Sequence, residues 1–453
     1  MLDGCTPHLP ETLGRYYDQG YYRGAALPQL LAEHARTYGT RTALVHGERR
    51  LTYRELNRRV DRLAAGLTLR GMRAGDRVIV QLPNVPEFVV TVYALMRAGA
   101  LPVFASTSCR ADEIGHLAHT TEASAYVGPS LHRGFDHAKM VEQVSNDHPR
   151  LRRAFTLDSP DGAQGGFSTA ASGCLFFPLS SVDAPMDPER TYDPNDVAFL
   201  LPSGESTASP HLVPRTHNDY AYQSRAAAEL IDLGPEDVYL AALPAESNFA
   251  FGCPGIVGTL ATGGTVVLID DTGPDSGTGF SSDSADAFRA IETEKVTVTS
   301  LGPDAARQWL EALPEATYDL SSLRLVQIGG AGSDPDLVAD LHKALGCRLQ
   351  QVFEMAEGVL SLTRLTDTEE VIQHTQGRPL SPGNEIRITD QNGTEVPTGT
   401  PGQLGTRGPY TLRGYYKSPD LNARAFTPDG FCKTGAIAHL TDDGNLVVEG
   451  RMP

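Results

Sequence analysis

Between residues 53 and 106 the hydrophobic period switches from helix-like to strand-like and back, and this alternation constrains the fold more than any other feature. In "YRELNRRVDRLAAGLTLRG", Leu56, Val60, Leu63, Leu67 and Leu69 fall near one helical face before Gly71 stops the turn. "DRVIVQLPN" then reads as a buried strand ending in a loop, and "EFVVTVYALMRAGALPVFAS" as a helix followed by another strand. Strands separated by a helix pair in parallel, because the crossover returns the chain to the same end of the sheet. The same rhythm returns in "DVYLAALP", "GGTVVLID", "KVTVTSLGP" and "LRLVQIGG", with "PDLVADLHKALG" as a helix. An α/β fold with helices covering parallel sheets is the expectation.

The chain has 453 residues, more than one hydrophobic core usually organises, so two or more packed units are expected. Beyond about residue 375 the texture changes. "GRPLSPGNEIRITDQNGTEVPTGTPGQLGTRG" is dense in Gly, Pro and Thr, with short alternating strands and a "QNG" turn, which predicts an antiparallel, barrel-like unit. "DTGPDSGTGFSSDSADA", residues 271–287, reads as a surface loop.

A formal charge of −18 argues against nucleic acid as a partner, because a phosphate backbone demands a basic surface. No apolar run approaches the ~20 residues that cross a bilayer, and "MLDGCTPHLPETLG" lacks the basic head and apolar core of an export signal. Six scattered cysteines form no CxxC pair, and the thirteen histidines show no metal-ligand spacing. Reduced thiols, a cytoplasmic setting, no membrane partner and no metal site are expected.

The chemistry-bearing stretch is "LLPSGESTASPHLVPRTHNDY", Leu200 to Tyr220, with the outline of a phosphate-gripping loop but a carboxylate inside it and no lysine. This loop, "PAESNFAFGCPG" (244–255), "QVFEMAEG" (351–358), "GFCKTGAIAHLTDDG" (430–444) and "EGR" (449–451) occur in an order that resembles the adenylate-forming enzymes. Among these the chain resembles the stand-alone aryl-acid AMP ligases, which activate 2,3-dihydroxybenzoate or salicylate for siderophore assembly. The resemblance covers essentially the whole chain.

It implies two αβ sheet subdomains over residues 1–375 and a distorted antiparallel β-barrel over 376–453. The sequence stops at "EGRMP", where the resemblance puts a hinge, so the family's small C-terminal domain and its adenylation lysine are expected to be absent.

Active relatives have a loop like SGGSTGxPK. Ser203, Gly204, Ser206, Thr207 and Pro210 keep that pattern, whereas Glu205 and Ala208 replace glycines and His211 replaces the lysine. A carboxylate 4 Å from a phosphate charge costs about 4 kcal/mol at an effective dielectric of ~20, roughly three decades of affinity. An outward-turned, solvated Glu205 is the other reading of that residue. Ala436 stands where relatives have the aspartate that holds the ribose hydroxyls, and Glu357 matches the magnesium-associated glutamate. No cofactor is expected; ATP and Mg enter only if the chain is a working ligase.

In the acid pocket the resemblance assigns Asn248 to the ortho-hydroxyl or carboxylate of the aryl acid. Cys253, Glu246, Ser247, Ala356 and Leu360 join it as substrate-binding positions, Cys253 reading equally well as a small buried residue. Glu354 replaces a glycine, so that with Leu360 the pocket should be smaller and more acidic. Glu205, His211 and Glu354 are the candidate acid/base residues, since a buried carboxylate has a raised pKa and can donate a proton near neutral pH. Tyr410, Tyr415 and Tyr416 read as packing.

Three functions stay open. The favoured one is a homologue that has lost adenylation and performs ATP-independent chemistry on an aryl acid or its derivative, presented free or on an aryl carrier protein. The second is an active salicylate or 2,3-dihydroxybenzoate ligase whose small domain comes from another chain. The third is a non-catalytic scaffold that binds an aryl ligand, a carrier protein or a sister ligase.

Overall fold

The computed structural model describes residues 2–158, 167–185, 191–203, 210–270, 283–329 and 334–452. Among these residues the chain forms two large, mostly parallel sheets flanked by helices and a smaller antiparallel sheet near the end. The alternation from residue 53 is realised as helix Tyr53–Leu69, strand Arg77–Val80, helix Pro86–Ala98 and strand Leu101–Phe104. Thr52 and Glu55 start the first helix reciprocally: Glu55 N donates to Thr52 Oγ1 at 3.2 Å, and Thr52 N donates to Glu55 Oε2 at 2.9 Å.

That helix buries Leu56, Val60, Leu63 and Leu67, but Leu69 is 76% exposed, contrary to the face expected from sequence. Two residues beyond Leu67 the helix has turned through ~200°, which carries Leu69 to the far side.

The first large sheet has eight strands. Its order runs His211–Thr216, Val197–Ser203, Leu101–Phe104, Arg77–Val80, Ala125–Pro129, Arg153–Leu157, Leu175–Pro178, Ser168–Thr169. Its edge is an antiparallel hairpin in which Ser203 stands opposite His211. The second sheet has nine strands, and Val238–Ala241, Thr265–Leu268, Val298–Leu301 and Leu325–Gly329 form its parallel centre as the sequence rhythm requires. It too carries a hairpin, Arg348–Met355 with Val359–Leu362, in which Glu354 pairs with Leu360.

One continuous core joins the sheets. Phe104 and Phe199 stack at 5.1 Å, Phe251 meets both edge-on, and Tyr220 sits on Phe199 at 4.7 Å.

The antiparallel unit is an open four-stranded sheet, Glu385–Thr389, Gly402–Arg407, Cys432–Leu440 and Leu446–Arg451; the described residues do not close it into a barrel. Its buried face (Ile388, Leu404, Ala436, Ala438, Leu446, Val448) packs on Phe353 and Val359 of the second hairpin. The loop expected over 271–287 ends earlier than its composition indicated. Asp283 accepts from Ala285 N and caps a helix at Ser284–Glu294, and residues 271–282 lie outside the described residues.

Candidate functional site

The two hairpins bracket the site, one from each large sheet. From the first come Ser203, His211 and Arg215; from the second, Glu354, Ala356, Glu357 and Leu360. A third element, the short helix Asn248–Gly252, follows the central strand Val238–Ala241. The connecting loop is pinned by Asn84: Ala245 N donates to its Oδ1 at 2.7 Å, and its Nδ2 donates to Ala241 O and Leu243 O. A site at the carboxyl ends of parallel strands is the usual position in an open α/β sheet.

Asn248 is the hub of a buried polar network. Its Nδ2 donates to Glu354 Oε2 at 2.5 Å and to Cys253 Sγ at 3.6 Å. Its Oδ1 accepts from Arg215 Nη1 and from Gln223 Nε2, each at 3.4 Å. Arg215, 1% exposed, also donates from Nε to Asp219 Oδ1 at 3.0 Å, from Nη2 to Gln223 Oε1 at 2.8 Å and from Nη1 to Ala356 O at 3.4 Å. Its guanidinium lies 4.8 Å from the centroid of the Tyr220 ring. Asp219 has two tasks, since its other oxygen accepts from Thr216 N at 2.7 Å and caps the helix His217–Leu230.

Apolar groups surround this network. Phe249, Cys253, Val352, Leu360, Tyr222 and Tyr410 belong to one buried cluster. Burial first, and then the charge of Glu354, push the Cys253 thiol well above its ordinary range, with Arg215 opposing. Cys253 is a buried thiol that accepts a hydrogen bond from Gln223 at 3.2 Å.

A second cluster lies at the end of the first hairpin, where Ser203 stands opposite His211. Glu357, 5% exposed, accepts hydrogen bonds on Oε1 from the Ser203 hydroxyl and from Tyr415 OH, the latter at 3.0 Å. Burial and the Glu357 charge push the Tyr415 phenol up, and the same two causes push up Cys432. His211 is exposed at the strand start, its ring 5.6 Å from that of Tyr415.

The expected residues are thus sorted into groups. Asn248, Cys253, Glu354, Ala356 and Leu360 come together; Ser203, His211 and Glu357 form the other cluster. Of the candidate acid/base residues, Glu354 is bonded to Asn248, whereas the His211 ring lies beside Tyr415. Glu205, with Gly204, Ser206, Thr207 and Ala208, lies outside the described residues.

Ser247 caps the Asn248–Gly252 helix, its hydroxyl accepting from Ala250 N at 3.2 Å. Glu246 is buried, and its charge is felt at Cys109. Ala436 is buried with Leu404 and Phe353, and its methyl can form no hydrogen bond. Tyr415, expected only to pack, bonds to Glu357, whereas Tyr410 and Tyr416 do pack.

Sequence reasoning passed over Arg215, Gln223 and Asn84. The available signal was an arginine following the apolar run "LVP" of the strand, directly before the capping pair Thr216 and Asp219.

A model of the AMP-binding enzyme family matches residues 31–416. This chain belongs to the AMP-binding enzyme family. It is 43% identical over 451 residues to the 2,3-dihydroxybenzoate-AMP ligase of Bacillus subtilis, covering 100% of this chain and 79% of that relative. With the salicyl-AMP ligase / salicyl-S-ArCP synthetase of Mycobacterium tuberculosis it shares 40% over 456 residues, covering 100% of this chain and 77% of that one. Among solved structures, apo MbtA of Mycobacterium smegmatis superposes with a TM-score of 0.88 at 41% identity, covering 99% of this chain and 80% of that chain. The fold of this AMP-binding family member is thus that of its solved relative.

Proposed function

We propose that this family member binds an aryl-acid-derived ligand at the Asn248 site and acts on it without ATP-driven adenylation, in siderophore-like or other secondary metabolism. One observation carries the reading: the groups matching the phosphate and magnesium positions are bonded to each other, Glu357 to the hydroxyls of Ser203 and Tyr415. An ATP-Mg complex would meet a Glu357 carboxylate whose Oε1 is already engaged by Ser203 and Tyr415, and the remaining substitutions give little in return.

The residues fit the nucleotide poorly. His211 is a weaker and conditional cation beside a triphosphate than lysine, and Glu205 has the wrong sign for one. Ala436 offers a ribose hydroxyl only a methyl in an apolar cluster, and an unpaired polar group costs about 1–3 kcal/mol. In contrast, the aryl side keeps Asn248, Arg215 and an apolar wall. On this reading Glu354, His211 and Glu205 are the candidate acid/base groups, Glu354 being the one bonded to Asn248. The ligand arrives either free or as the acyl group of a carrier protein.

Calorimetric titration separates the readings. No heat with ATP-Mg, together with binding of an aryl ligand, is the expected result; tight ATP-Mg binding would overturn the loss of adenylation. A second reading, a working aryl-acid ligase, is favoured by 40–43% identity to relatives bearing that name. It requires pyrophosphate exchange with salicylate or 2,3-dihydroxybenzoate once a relative's C-terminal domain is supplied.

A further inference from the structure

A site that recognises a free aryl acid must offer its carboxylate hydrogen-bond donors and a net attraction for negative charge. Near Asn248 both have been taken by the chain itself. The Asn248 amide nitrogen donates to Glu354 Oε2 at 2.5 Å, within the range of a strong, charge-assisted bond. The cation of the network is engaged as well: Arg215 is paired with Asp219 at 3.0 Å, and its remaining contacts go to Gln223, Asn248 Oδ1 and Ala356 O.

Glu354 is held there by its backbone. It pairs with Leu360 across the hairpin, and Leu360 is 1% exposed in the apolar cluster that contains Cys253 and Phe249. Its influence reaches further into that cluster, where its charge adds to burial in raising the Cys253 thiol. A second carboxylate brought beside Asn248 would therefore meet the like charge of half-buried Glu354, which already holds the Asn248 amide. A neutral acyl group would not; its carbonyl needs only a dipolar partner, and an amide N–H could donate to Glu354.

We infer that Glu354 is a built-in carboxylate that excludes free aryl acids, so that the site takes an uncharged aryl acyl derivative, an amide, ester or thioester. This rests on the reading that the Asn248 region is the aryl-ligand site and names the chemical class of its ligand. It also gives Glu354 a role in specificity, whether or not it moves a proton.

Salicylamide and sodium salicylate differ little in shape and by one charge, which makes them the probes. Isothermal titration of the full chain should show salicylamide binding roughly 100-fold or more tighter than salicylate, the scale of one like-charge contact in a partly screened site. Glu354→Gln keeps the side-chain volume and removes the charge, so it should narrow that ratio by about 10-fold or more, through a gain in salicylate affinity. Equal affinity of the parent chain for both probes overturns the inference while leaving an aryl site in place. An unchanged ratio in folded Glu354→Gln overturns the assignment to Glu354. Binding of neither probe by either protein removes the ligand-site reading and this inference together.

Discussion

Replacing Arg215 by methionine tests the polar hub directly. Methionine retains an unbranched, flexible chain that can fill the space left in the strand, so the change removes a charge and its donors more than it removes volume. Arg215 is 1% exposed and its partner Asp219 is also buried. Breaking a buried ion pair from one side typically costs 3–5 kcal/mol, because the abandoned charge stays in a poorly solvated place. Asp219 keeps its bonds from Thr216 N at 2.7 Å and Thr216 Oγ1 at 2.8 Å, which offsets part of that cost. Gln223 and Asn248 each lose a donor, which restores part of it. A net loss of about 3–4 kcal/mol is expected. Equilibrium urea unfolding followed by circular dichroism and by Trp309 fluorescence would measure it. Asp219→Asn retains a capping oxygen while removing the charge, so the double variant should be more stable than the sum of the single effects by about 1–3 kcal/mol. A cost below about 1 kcal/mol for Arg215→Met, or strict additivity, would refute the claim that this pair organises the site.

Other perturbations address separate parts of the structure. Gly358 has φ +92° and a Cβ there would lie 2.0 Å from Tyr410 O, whereas Gly393 at φ +82° faces open space; Gly358→Ala should therefore cost more than about 2 kcal/mol and Gly393→Ala about 1, read as urea midpoints. Asn84→Ala removes three bonds to the 241–245 loop and should cost about 3 kcal/mol and weaken aryl binding, measured by unfolding and by titration. Burial lowers His137 and His217 from 6.5 to about 4. The unfolded chain thus binds protons that the folded chain refuses between those values, and stability falls as pH drops through that window but is flat above it. At pH 5 the loss is on the order of 2 kcal/mol for each histidine, and an identical urea midpoint at pH 5 and 7.5 would exclude it. Native thiols should alkylate slowly at pH 8, since burial leads in raising Cys5 to about 12 and Cys109 and Cys174 each to about 11; rapid labelling before unfolding would contradict that burial.

Residue order alone accounts for the elements and the frame. Hydrophobic period is local, so strands at 77–80, 101–104, 238–241 and 298–301 and the helices between them follow from residue order, and right-handed crossovers leave parallel sheets as the way to pair them. It also named Asn248, Cys253, Glu354 and Leu360 as neighbours, because ordered motifs of a shared fold fix positions in space. Even the failure at Leu69 was local and calculable, two residues past the buried stripe.

Which polar atoms meet depends on how distant segments pack. Arg215 and Gln223 lie on one hairpin strand and the helix after it, Asn248 follows a strand of the other sheet, and Glu354 comes from that sheet's own hairpin. No local pattern encodes contacts over separations such as the 106 residues between Asn248 and Glu354. The same holds for Tyr415, whose hydroxyl is drawn to Glu357 across 58 residues. Buried polar groups must find partners wherever the packed chain brings them, and that requirement is met in three dimensions, after the hydrophobic pattern has already chosen the fold.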